Sequence, residues 1–128
     1  MEVFVMKGII VHSGEWDRIY HAFNIASVYA SFDEEVVVFL TYWAVDTIVS
    51  DTQMDGRKGE ILSSAIQKGI LKRLEDVIKM AKSVGNVKVS VCVTTLNMLG
   101  IDEKELPNWV DEVGGLAEVL SAETVIFI

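Results

Sequence analysis

The run Val36-Val37-Val38-Phe39-Leu40 constrains this fold more than any other segment. Five consecutive apolar residues, three of them β-branched, leave no polar face, so the segment suits a strand covered on both sides. Such strands belong to parallel sheets with helices packed on each face. Three further segments fit the same sheet: Val3 to Val11, interrupted by Lys7 and Gly8, then Val87 to Val91, and Thr124 to Ile128. Between the first two, Trp16, Ile19, Phe23, Ala26 and Ala30 recur at spacings of three and four, which predicts an amphipathic helix with Ser13 as its N-cap. Leu62, Ile66, Ile70, Leu74, Val77, Ala81 and Val84 predict one long helix stopped by Gly85-Asn86. A short helix is expected after Cys92, ending near Gly100, a turn or helix at Asp102 to Leu106, and a last helix from Gly114-Gly115 through Leu120. The polar stretch Ser50 to Glu60 is expected to be a loop able to act as a lid. Strands alternating with helices predict an α/β sandwich around a mainly parallel sheet.

A length of 128 residues fits a single domain, 1–128, with one sizeable core. At 51% hydrophobic and 23% charged, the composition is that of a globular chain. The net charge of −8 argues against nucleic-acid binding through a basic face. One cysteine excludes a disulfide scaffold and fits a reducing compartment. Met1 to Met6 lacks the basic region and cleavage site of a signal peptide. Val36 to Val49 is too short to span a bilayer and contains Thr41 and Asp46. The expectation is a cytoplasmic protein without membrane contact.

Cys92 is the leading candidate for chemistry. It ends one strand-like run and precedes a helical one, and a thiol at a helix N-terminus gains thiolate character from unpaired N–H groups and the helix dipole. At the ordinary pKa of about 8.5 only a few per cent of a thiol is ionised at pH 7, so any lowering matters. In an open parallel sheet, ligands sit beyond the carboxyl ends of the strands. That edge should gather Cys92, His12-Ser13 and Thr41-Tyr42-Trp43. The structural alternatives are a buried filler cysteine, a strand-end His12 bonded to a neighbouring loop, and Tyr42-Trp43 as core or interface. Asp51 to Leu62 fails as a calcium loop, with Gln53 at its third position and Leu62 at its twelfth. Gly56-Arg57-Lys58-Gly59 is not a P-loop, and two isolated histidines with one cysteine make no zinc site.

Four segments in order resemble the DsrE/DsrF family of small sulfur-relay proteins. Gly8 to Glu15 is similar to its strand followed by Ser-Gly-Asp, with Glu15 in place of Asp. Phe39-Leu40-Thr41-Tyr42-Trp43-Ala44 resembles its Phe-Phe-Thr-Phe-Trp-Gly. Val91 to Ile101 resembles its cysteine motif, Ala-Cys-Ser-Met-Ser-Met-Asp-x-Met-Gly-Ile, with Val93-Thr94-Thr95-Leu96 and Asn97 as departures. Val113-Gly114-Gly115-Leu116-Ala117 resembles its Val-Gly-Gly-Val-Ala.

The resemblance implies a flavodoxin-like α/β/α sandwich and assembly into homotrimers, tetramers or hexamers. It also implies a sulfurtransferase or sulfur carrier whose catalytic cysteine, Cys92, takes sulfane sulfur as a persulfide or thiosulfate as a thiosulfonate. Sulfur-donor and sulfur-acceptor proteins are then its partners, and neither metal nor organic cofactor is required. On this reading Thr94 and Thr95 stabilise the thiolate, Trp43 and the 50–60 loop shield the cargo, and His12 and Ser13 complete the substrate-binding set. The alternative is a non-catalytic subunit of such an assembly, with Cys92 buried and structural.

Overall fold

A computed structural model describes residues 6–50 and 55–128. Five strands, β1 (Met6–Val11), β2 (Glu35–Leu40), β3 (Val87–Cys92), β4 (Glu112–Gly114) and β5 (Thr124–Phe127), form one sheet in the order β4-β3-β2-β1-β5. Every pairing is parallel. Helices connect them: α1 (Trp16–Ser31), α2 (Trp43–Ser50), α3 (Gly56–Gln67), α4 (Leu74–Val84), α5 (Val93–Leu99) and α6 (Leu116–Leu120), with a 3-10 turn at Glu103–Glu105. The architecture is a parallel α/β sheet flanked by helices, as the β2 run requires.

That run is apolar throughout because alternate residues serve two cores. Val36, Val38 and Leu40 join Ile9, Val11, Val89 and Val91 beneath α1 and α4. Val37 and Phe39 join Ile10 on the opposite face, against Val119 of α6, and Cys92 packs beside this smaller cluster. Phe23 of α1 is fully buried in the larger core, and its ring meets Trp109 edge to face at 6.3 Å. Phe23→Ala is expected to cost about 3–5 kcal/mol through lost burial and a residual cavity. A denaturant titration checks this, and a loss below ~1 kcal/mol would contradict the packing.

Several expectations are corrected. The long helix expected from Leu62 to Val84 is two helices, α3 and α4. Gly69 adopts φ +75, and its N–H and that of Ile70 bond back to the carbonyls of Ile66 and Ala65, ending α3 in a Schellman turn. Ile70 keeps the apolar period but stands 73% exposed, so periodicity ran on where the helix did not. Residues 56–60, expected as loop, are the first turn of α3, and residues 51–54 lie outside the described segments. Ser13 is not the N-cap of α1. Glu15 is, and the Ser13 hydroxyl accepts the Glu15 N–H at 3.1 Å. Two elements were not anticipated: α2, which begins at Trp43, and β4, whose three residues are too few to show a period. The first strand begins at Met6 among the described residues, and Val3 to Val5 lie outside them. α5 ends as expected, with Gly100 at φ +68.

Candidate functional site

Cys92 closes β3 and is the N-cap of α5, with φ −66 and ψ 118. It is half-buried, and in register it lies beside Gly114 of β4. On its other side β2 runs out through Leu40 into Thr41. The Thr41 and Thr95 hydroxyls are both buried and stand 3.3 Å apart, and Thr95 Oγ1 accepts the Tyr42 N–H at 2.8 Å. Tyr42 holds a left-handed φ of +50, uncommon for a bulky residue, and the bond to Thr95 helps to hold that turn.

Burial pushes the Cys92 thiol pKa up, but hydrogen bonds from the Thr95 hydroxyl, the Thr95 N–H, the Thr41 hydroxyl and the Thr94 N–H together prevail and lower it. The sulfur therefore lies at a helix N-terminus beside two threonine hydroxyls, surroundings that favour its anion. The thiolate is the nucleophilic form, so the arrangement suits attack on an electrophilic sulfur.

The sequence-predicted residues divide around the sulfur. Thr95 contributes its hydroxyl and its N–H, whereas Thr94 contributes its N–H and is itself exposed. His12 follows β1, and β2 separates β1 from β3. At about 4.8 Å per strand the ends of β1 and β3 stand roughly 10 Å apart. The His12 ring instead meets the Tyr42 ring at 4.8 Å, and the His12 backbone N–H donates to the Ile128 carbonyl at 2.8 Å. It is not among the groups that shift Cys92. Ser13 lies in the turn after β1.

Trp43 opens α2 and is half-exposed. Its backbone is wedged against the turn after β1: a Cβ on Gly14 would come within 2.9 Å of both Trp43 Cβ and the Trp43 carbonyl oxygen. The Thr47 hydroxyl donates to the Gly14 carbonyl at 2.6 Å and seals the contact. Gly14→Ala is expected to displace the first turn of α2 and cost about 1–3 kcal/mol. An unchanged denaturation midpoint would show that α2 gives way freely.

The sequence placed Thr41 on this edge but did not assign it a role at the sulfur. The available signal was its position, a hydroxyl directly after the strand that pairs with the cysteine strand. Among the described residues, no group of three or more His, Cys, Asp or Glu is arranged to hold a metal ion. No described helix is long and apolar enough to cross a membrane.

The fold and site define a class: parallel α/β proteins that present a cysteine at the carboxyl end of an inner strand. Within that class the chain belongs to the DsrE/DsrF-like family, which it matches over residues 6–126. Family membership ties it to sulfur relay in general. It is 26% identical over 144 aligned positions to the uncharacterized protein YrkE of Bacillus subtilis strain 168, covering 90% of this chain and 89% of that one. Its fold resembles that of MTH1491, a protein of unknown function from Methanobacterium thermoautotrophicum. The TM-score is 0.55 at 14% identity, over 98% of this chain and 100% of that one.

Proposed function

We propose that this protein is a sulfur carrier that loads sulfur on Cys92 and passes it to a thiol of a partner protein. The observation that carries the reading is the placement of Cys92: a half-buried thiol at the N-cap of α5, at the carboxyl end of an inner strand, with the Thr41 and Thr95 hydroxyls beside it and its pKa lowered despite burial. In loading, the Cys92 thiolate attacks the outer sulfur of a donor persulfide. A new S–S bond forms at Cys92, the donor S–S bond breaks, and the donor leaves as a thiolate. In delivery, an acceptor thiolate attacks the outer sulfur of the Cys92 persulfide and returns Cys92 as a thiolate. Each step exchanges one S–S bond for another, so no external oxidant or reductant enters. With tetrathionate the same attack leaves a thiosulfonate on Cys92 and releases thiosulfate.

Thr95 and Thr41 would stabilise both the attacking and the returning thiolate. Tyr42 and Trp43, exposed beside them, would meet the donor and the acceptor, with His12 and Ser13 at the far margin of the same edge. Family membership supports self-assembly of this chain and protein partners on both sides of the relay. Intact-mass measurement after incubation with polysulfide or tetrathionate tests the reading, with Cys92→Ser as the comparison.

A further inference from the structure

From Ile19 to Phe32 the chain carries no Asp, Glu, Lys or Arg, although 23% of its residues are charged. This segment is most of α1, a helix with a solvent-facing side. Inward, Ile19, Ala22, Phe23, Ala26 and Ala30 are buried. Outward, His21, Val28 and Phe32 form a second stripe with Ile25, which is half-buried at its margin; Val28 is 56% and Phe32 72% exposed. An ordinary surface helix places charge on that side. Here it carries an apolar depression of about 260 Å³ lined by His21, Asn24, Ile25, Val28 and Tyr29, the kind of hole that receives a side chain from another helix. A neighbouring groove of about 470 Å³ runs from His21 to Phe127 and Ile128 at the β5 edge.

We propose that this face of α1 is a two-fold interface with α1 of a second copy of the chain. The inference goes beyond the sulfur chemistry and does not depend on Cys92. The stripe itself argues for a second copy, because its spacing of four, three and four is unchanged on reversal. Two antiparallel α1 helices related by a two-fold axis therefore set Ile25 opposite Val28 and His21 opposite Phe32, twice over. This is the self-complementarity an isologous contact requires. Charge stands only at the ends: Asp17 and Arg18 at the head of α1, Asp33 and Glu34 after its tail. Arg18 pairs with Glu15 of its own chain at 3.4 Å, so the head of α1 brings no unpaired cation to the contact. An uncharged centre with a charged rim is the usual anatomy of a protein interface. For chains of net charge −8, it is also a face on which two copies can meet without opposing carboxylates.

Sedimentation of the full chain in its Cys92→Ser form, across micromolar concentrations, tests this without interference from the thiol. The parent is expected to run as an even-numbered assembly. Val28→Glu and Phe32→Glu, both at exposed positions and checked by circular dichroism, are each expected to halve its mass. In the same background, a mixture of Ile25→Cys and Val28→Cys chains should crosslink to a mixed dimer faster than either variant alone. A monomeric parent would overturn the proposal and leave the face to a partner of different sequence. Unchanged mass in both glutamate variants, or no preference for the mixed crosslink, would overturn it too.

Discussion

Cys92→Ser is expected to emerge from incubation with polysulfide or tetrathionate at its unmodified mass, while the wild-type protein gains a reductant-reversible adduct of sulfur or thiosulfate. The effect is all or none because Cys92 is the only thiol in the chain. Serine matches cysteine closely in shape, and its hydroxyl can take the Thr41 and Thr95 hydrogen bonds, so the fold should survive. A hydroxyl is nonetheless too weakly acidic to supply an anion near neutral pH, and it forms no S–S bond. Comparable denaturation midpoints for the two proteins would confirm that only chemistry was removed. An adduct on Cys92→Ser, or none on wild type with any donor, would end the carrier reading.

The second large effect concerns the donors around the sulfur. Because the Cys92 pKa is lowered in the folded protein, its alkylation rate should climb with pH and level off at a lower pH than for an unfolded thiol. The sign follows from the charged form being the stabilised one: thiolate is populated above the folded pKa and lost as pH falls through it. Thr95→Val removes a hydroxyl donor to a charged acceptor, an interaction of about 1.5–3 kcal/mol. On the acid side of the profile it should slow alkylation about tenfold or more. It also takes from the Tyr42 N–H its acceptor, so part of the loss comes from a loosened turn. Thr41→Val leaves that bond in place and should give a smaller shift in the same direction, and Thr95→Ser should restore most of the wild-type profile. Profiles of wild type and Thr95→Val that superimpose would show that the hydroxyl does not act on the sulfur.

Much of this molecule was legible along the chain. The unbroken apolar run of β2, the α1 periodicity and the stop at Gly100 each report a local requirement: two covered faces, one covered stripe, one left-handed residue. Cys92 at a strand-to-helix junction was visible for the same reason, since both flanking patterns lie within ten residues of it. Where local pattern misled, the physical cause is specific. Leu62 to Val84 keeps a helical period straight through Lys68-Gly69, because exposed Ile70 happens to fall in phase with the stripe. α2 was hidden because Tyr42 turns the chain within a single residue of the strand.

The make-up of the site was settled in three dimensions. Sequence placed a thiol, an imidazole and several hydroxyls on one edge without ranking their distances to the sulfur. Strand order ranked them: β3 pairs with β2, so Thr41 stands at the sulfur, while β1 lies one strand further and His12 turns to Tyr42. Thr41 and Thr95 are 54 residues apart in the chain, and no periodicity links them. Their meeting depends on which strands pair, a choice made by the packing of the whole sheet. The residue patterns thus carried the elements and the candidate thiol, and the sheet topology chose the groups that surround it.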